Sequence, residues 1–321
     1  MNPLYPLRFR PIFREYVWGG RKLGDVLHKP IGDGPNYAES WEVVDHGADQ
    51  SVVAYGHLAG TTLQQLITDH PTALFGGQTP HAQFPLLFKY LDAQRNLSVQ
   101  VHPNDAQAAE LIPPDLGKTE AWYVVDAEPD SIVYAGLKQG YDKESFTHAV
   151  AQGATESALH AIQVTAGDCI FIPAGTVHAI GQGLLIAEIQ QASDTTYRVF
   201  DWNRVDRDGQ PRPLHLEQAI QVINFESQEI APQTPQTTHD SQIETLIRCD
   251  KFVLERWSVH APMAFTSDRF QIISVLDSSL TISNDPAGKP LQRGDTCLIP
   301  AGCEVVLSPD RHCKLLNGYL P

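Results

Sequence analysis

Residues 167–175 read Gly-Asp-Cys-Ile-Phe-Ile-Pro-Ala-Gly, and residues 294–302 read Gly-Asp-Thr-Cys-Leu-Ile-Pro-Ala-Gly. Six of the nine positions are identical, and Phe171 and Leu298 keep an apolar type. Gly-Asp makes a tight turn, the residues after it form a short inward-facing strand, and Pro-Ala-Gly turns the chain again. Two copies of such a unit imply two related β-barrels. The copies part just beyond the second turn, where Thr176-Val177-His178 follows the first and Cys303-Glu304-Val305 follows the second. One barrel thus presents an imidazole where the other presents methyl groups. This predicts one metal-binding barrel and one structural copy.

Outward from the repeat, the chain reads as short strands between turns. Ser131–Ala135, Cys169–Ile172, Leu184–Ile189, Gln271–Leu276 and Leu280–Ile282 are rich in β-branched residues and bounded by turn formers. Lys251 to Val259 alternates as a half-buried strand does. Helical periodicity is confined to Thr62–Phe75 (interrupted at Pro71), Asp105–Leu111, Asp142–Gln152, Glu156–Ile162 and Leu214–Asn224. Helices that interrupt strands, rather than alternate with each of them, disfavour Rossmann and TIM architectures. The expectation is a mainly β protein of two jelly-roll barrels with a few inserted helices. The polar stretch 227–243 reads as an exposed connection. It places a metal-binding, catalytic unit with helical insertions at 1–245 and a C-terminal barrel without metal ligands, and without a comparable polar cluster, at 246–321. The spacing Gly167-x5-Pro173-x-Gly175-x2-His178 also resembles the second motif of cupin barrels.

Bulk composition narrows the function. A chain of 321 residues fits about two domains. Its net charge of −15 is the wrong sign for coating nucleic acid, and an anionic substrate would need a local basic patch. The five cysteines are scattered, odd in number and without a Cys-x-x-Cys pair. A disulfide scaffold and a thiolate zinc site are therefore disfavoured, and a reducing cytoplasm is expected. No apolar run of about eighteen residues suits a membrane span, and the N-terminal residues lack the pattern of a secretory signal.

The remaining metal ligands should come from an earlier hairpin. Gln100 and His102, within Leu97-Ser-Val-Gln-Val-His-Pro103, are two apart on a strand and leave the same face. Glu120 opens the next strand after Gly117-Lys118-Thr119. With His178 they give two imidazoles, a carboxylate and an amide oxygen, a set that suits zinc with an open coordination position. Iron or manganese accepts similar ligands.

Here the residues resemble a known family. Glu39-Ser-Trp-Glu42, Phe84-Pro-Leu-Leu-Phe-Lys89, Leu97–Pro103, Gly117-Lys-Thr-Glu-Ala-Trp-Tyr123, Ile172-Pro-Ala-Gly-Thr-Val-His178 and Glu188-Ile-Gln-Gln-Ala-Ser-Asp-Thr-Thr-Tyr-Arg198 occur in the order found in type I phosphomannose isomerases of the cupin superfamily. The resemblance is to the shorter bacterial branch and runs from the N-terminus to the last barrel. It implies one zinc ion per chain, held by Gln100, His102, Glu120 and His178, and conversion of mannose 6-phosphate to fructose 6-phosphate through an enediol. It places Lys118, Glu188 and Arg198 among the catalytic residues and Lys89, Ser98, Arg204 and Trp41 along the substrate. The proton-transferring base stays open among Glu188, Lys118 and a water on the metal. Arg198 and Arg204 are the expected phosphate contacts, the competing role for Arg204 being an ion pair with Asp201, Asp206 or Asp208. A monomer is expected. Two other readings compete. A non-haem iron oxygenase predicts bound iron and oxygen uptake, and a non-catalytic sugar-phosphate binding module would dispense with the metal or the acid/base groups.

Overall fold

The computed structural model describes residues 3–78, 81–205, 209–226 and 229–321, so the expected competitors Asp206 and Asp208 lie outside the described residues. The chain folds into two antiparallel β units with short helices in the loops, as the repeat implies. In the first, a six-stranded sheet runs in the order Cys169–Ile172, Glu120–Ala127, Leu184–Gln191, Leu86–Ala93, Tyr37–Val43, Ile12–Gly20. It faces a five-stranded sheet of Leu159–Gln163, Ile132–Leu137, His178–Ile180, Val99–Val101 and Tyr197–Phe200. The second unit pairs a six-stranded sheet, Gln236–Thr237 through Thr296–Ile299, with a three-stranded one of Met263–Phe265, Val305–Pro309 and Leu280–Ile282. We propose the division of the two units near residue 245.

Strand alternation decides where the charged residues end up. Leu184 and Ile186 point into the first barrel, where they pack with Trp122, Val124, Leu91 and Ile170. Leu185, Ala187 and Ile189 point the other way, into a second core that the two units share with Phe252, Phe270, Ile272 and Leu316. The sheet is therefore apolar on both faces, which is why Leu184–Gln191 is buried along its whole length. By the same period of two, Glu188 follows Ile186 inward, Glu120 precedes Trp122, and Lys89 precedes Leu91. Register places these side chains together, with Glu188 opposite Lys89 on one neighbour and Trp122 on the other, and Gln190 opposite Glu120.

Two expectations need correction. Glu156–Ile162 is not one helix: a short helix, Thr155–Ala158, gives way to the strand Leu159–Gln163, which pairs along Ile132–Leu137. Edge pairing with a strand more than twenty residues earlier overrides a local helical pattern that offered only one turn's contacts. The C-terminal barrel also has a polar cluster. Ile299 pairs with Gln271 as Ile172 pairs with Glu120, and by continued register Asn317 stands where Glu188 stands and Glu255 where Lys89 stands. Here the groups bond to one another, with Asn317 Oδ1 left over as a buried oxygen without a donor among the described residues. Asn317 Nδ2 donates to Gln271 Oε1 at 2.7 Å, Trp257 Nε1 to Glu255 at 2.8 Å, and Tyr319 Oη to Glu255 at 2.7 Å. Val305 opens its strand as His178 does, and packs among Ile299, Leu307 and Cys297.

Candidate active site

Three features of the local chain set the ligand geometry. His102 directly follows the strand Val99–Val101 and precedes Pro103, and the loop to Glu120 is pinned by a helix over Asp105–Ala108, capped reciprocally by Asn104 and Gln107. Gly117 lies so close to the backbone of Asn104 and Asp105 that a Cβ there would come within 2.5 Å of Asp105 N. The Pro-Ala-Gly turn then docks on the same spot. Gly175, at a φ of +84°, donates its N–H to His102 O at 2.8 Å.

His102, Glu120 and His178 are buried, and their ligand atoms lie within 4.8 Å of one another. Glu120 Oε2 is 3.5 Å from His102 Nε2, and Glu120 Oε1 is 3.3 Å from His178 Nε2. Donors bound tetrahedrally at about 2.1 Å would stand roughly 3.4 Å apart. His102 Nδ1–H donates to Thr195 O and His178 Nδ1–H to Thr176 O, both at 2.9 Å, so each ring turns an unprotonated Nε2 toward the carboxylate. Gln100 lies across from His178 in register, with its amide nitrogen 3.3 Å from His178 Nε2. A half-turn of the amide presents Oε1 instead. Glu120 Oε2 is buried and makes no hydrogen bond among the described residues, its charge met by an ion pair with Lys118 Nζ at 3.0 Å. Two locked imidazoles and an orphaned carboxylate oxygen are a donor set that fits a divalent cation, and these residues could hold one.

The protonation states agree. Burial, then the Lys118 ammonium, pushes His102 well below its ordinary value, and burial pushes His178 down. Burial raises the Glu120 carboxyl, but Lys118 and the two imidazoles outweigh it and hold it below the carboxylate range. For the two histidines the folded value lies beneath the unfolded one of about 6.5. Below that pH the unfolded chain takes up protons that the native imidazoles refuse, so their contribution to stability is full above about pH 6.5 and is lost as the pH falls. Chelator-treated protein should therefore melt at progressively lower temperature between pH 7.5 and pH 5.5. His178→Gln should flatten that slope, and an equal slope in both proteins would refute the assignment.

Of the cluster, Glu120 reaches a cleft of about 300 Å³ that is also lined by, among others, Lys89, Ser98, Gln100, Lys118, Glu188 and Arg198. Lys89 Nζ bridges Glu188 at 3.1 Å and Glu39 at 3.8 Å. Burial opposes the ammonium charge, but these carboxylates hold Lys89 protonated above its usual range. Burial pushes the Glu188 carboxyl up against the pull of Lys89, while Trp122 Nε1 donates to its other oxygen at 3.0 Å. Ser98 Oγ donates to Gln100 Oε1 at 3.3 Å.

Two expected residues are not brought into the cleft. Trp41 is buried behind it, donating to Glu39 at 2.5 Å, with Lys89 Nζ 5.8 Å from its ring centre. Arg204 is tied to Asp201 and to Asn96 O. In their places the cleft has Glu39, which lay in the quoted Glu-Ser-Trp-Glu stretch, and Arg212, Tyr16, Trp18, Asp194 and Thr196. Nothing in the local sequence marks Arg212, which stands between Pro211 and Pro213. A larger cavity of about 500 Å³ lies between the two units near Asp105, Asp115 and Lys251, away from the imidazoles.

Comparison with known proteins agrees with this architecture. Phosphomannose isomerase type I, catalytic domain, matches residues 7–131, and mannose-6-phosphate isomerase, cupin domain, matches residues 242–306. Mannose-6-phosphate isomerase ManA of Bacillus subtilis is 38% identical over 305 residues, covering 92% of this chain and 93% of its own. The chain belongs to the type I phosphomannose isomerases. The mannose-6-phosphate isomerase of Streptococcus mutans is 35% identical, with 92% of each chain covered. The crystal structure of the mannose 6-phosphate isomerase from Bacillus subtilis superposes with a TM-score of 0.90 at 31% identity, covering 99% of this chain and 100% of that one. Membership accounts for the cupin barrels. Among the described residues no helix is long and apolar enough to cross a membrane.

Proposed function

We propose that the chain is a zinc-dependent aldose–ketose isomerase that interconverts mannose 6-phosphate and fructose 6-phosphate through an enediol, with one zinc ion per chain, acting as a cytoplasmic monomer. The observation that carries this reading is the buried His102–Glu120–His178 cluster, whose Glu120 lines the same cleft as Arg198. Gln100 completes the proposed ligand set. A zinc ion bound by these residues would supply Lewis-acid chemistry that makes the C2 proton easier to remove.

The chain's own residues do the rest. Glu188 and Lys118 flank the metal ligands and carry the proton between C2 and C1. Burial raises the carboxyl of Glu188 toward the range a general base needs. Lys89 and Trp122 fix that carboxylate from two sides, at 3.1 and 3.0 Å, so that it meets the sugar in one orientation. Arg198 is held by Pro213 O at 2.9 Å, and its buried Nε has no partner among the described residues. That leaves a donor to phosphate, and binding the phosphate at one end fixes C1 and C2 at the other. Ser98 and the indole of Trp18 border the sugar between them. The five cysteines are unpaired, in keeping with a reducing compartment.

The test is a coupled assay on zinc-loaded protein. Mannose 6-phosphate should yield fructose 6-phosphate, chelation should stop it, and added zinc should restore it. No product from fully loaded protein would defeat the reading.

A further inference from the structure

We infer that Arg212, standing beside Arg198 in the cleft wall, is the second phosphate-gripping guanidinium, and that Arg204 belongs to the scaffold behind it. The inference rests on the sugar-phosphate reading above. Arg204 and Arg212 converge on one carboxylate, Asp201, but they are engaged differently. Each guanidinium nitrogen of Arg204 already faces a protein acceptor: Nε meets Asp201 O at 3.2 Å, Nη1 meets Asn96 O at 2.5 Å, and Nη2 meets Asp201 Oδ1. Turning any of them to a ligand would strip a hydrogen bond from a largely buried group.

Arg212 is built to do both jobs. Its Nε and Nη2 form a fork on the two oxygens of Asp201, at 2.8 and 2.6 Å. That takes one side of the planar group. The end-on edge contains Nη1, which has no acceptor among the described residues, and it is the edge that meets two phosphate oxygens in parallel. The side chain keeps 28% of its surface exposed and lines the cleft, whereas Arg204 keeps 14% and does not. Asp201 thus acts as a clamp that fixes Arg212 in orientation before any ligand arrives. Burial, then the charge of Arg212, opposes protonation of Arg198. Two guanidinium groups close enough to repel are a site that an anion relieves. The other cations of the cleft are taken, Lys89 by Glu188 at 3.1 Å and Lys118 by Glu120 at 3.0 Å, which leaves the two guanidinium groups for an anionic ligand.

Calorimetric titration of zinc-loaded full-length protein with inorganic phosphate tests this alongside steady-state kinetics on mannose 6-phosphate. Arg212→Met should weaken phosphate binding about 10- to 100-fold, as loss of charge-assisted hydrogen bonds does. KM should rise in parallel, with the loss falling on KM more than on kcat. Arg212→Lys, which keeps the charge but not the fork, should fall between. Arg204→Met should change the phosphate Kd by less than about threefold while lowering the melting temperature, with Arg204→Lys serving where the methionine variant does not fold. The inference is overturned if Arg212→Met leaves phosphate affinity within twofold of wild type, or if either Arg204 variant weakens it more. Arg212-dependent phosphate binding by a protein that turns over no sugar phosphate would uphold the anion site and sink the isomerase reading. Turnover with unchanged phosphate affinity in Arg212→Met would do the reverse.

Discussion

His178→Val should lose its metal and about three orders of magnitude in kcat/KM on mannose 6-phosphate while keeping its fold. Valine is the residue that the second barrel carries at the equivalent position, where it packs without difficulty at the start of the strand Val305–Pro309. The substitution therefore asks the first barrel to accept what its sister already accepts. It removes one of two imidazoles whose Nε2 atoms face Glu120 at 3.3 and 3.5 Å, and leaves one imidazole, one carboxylate and a weakly donating amide oxygen for the metal. A metal Lewis acid contributes several kcal/mol of transition-state stabilisation, and each 1.36 kcal/mol is a factor of ten, which gives roughly 10³ in rate. Lys118 still pairs with Glu120 at 3.0 Å, so the carboxylate is not left bare and the barrel need not unfold. Metal content by atomic emission, circular dichroism and the coupled assay check the three parts. Full zinc occupancy with kcat/KM within tenfold of wild type would remove His178 from the centre.

What could be read before folding was set by what is local. The turn–strand–turn unit at 167–175 and 294–302 contains its own geometry, so the paired barrels and the contrast of His178 with Val305 were legible from adjacent residues. Gln100 and His102 share a face by strand period alone. Arg204 and Arg212 show the limit. Both are arginines near an Asp in a turn-rich segment, and only the fold reveals that Asn96 O, more than a hundred residues earlier, engages one and not the other. The strand Leu159–Gln163 was misread for a similar reason, since its partner Ile132–Leu137 lies outside the window that helical periodicity samples. The polar network of Glu255, Gln271 and Asn317 was invisible because these residues are far apart in sequence, and each taken alone resembles a surface residue.

Lys29→Met should destabilise the protein by about 3–5 kcal/mol, the range for removing one partner of a buried ion pair. Lys29 and Glu42 keep only 3% and 4% of their side-chain surface exposed, and their charged atoms lie 2.7 Å apart. The same ammonium donates at 2.7 Å to the carbonyl of Gly294, the residue that opens the second copy of the repeat, and sits 5.2 Å from the ring centre of Tyr90. It therefore joins the two units through a shared polar contact as well as neutralising a carboxylate. Methionine fills the volume but leaves Gly294 O without this donor and Glu42 without its cation. Burial already raises the Glu42 carboxyl, against the pull of Lys29. With the folded value above the unfolded one, the native state holds the extra proton in the window between them, and stability falls as the pH rises through it. Without Lys29 that window widens upward. The loss should accordingly be smaller near pH 5 than near pH 8, and Lys29→Met/Glu42→Gln should recover most of it, because a neutral amide is less costly to bury than an unpaired carboxylate. Urea unfolding of the two single variants and the double at both pH values closes the cycle. A loss under about 1 kcal/mol at pH 8 would show that the pair contributes nothing beyond the packing of its stems.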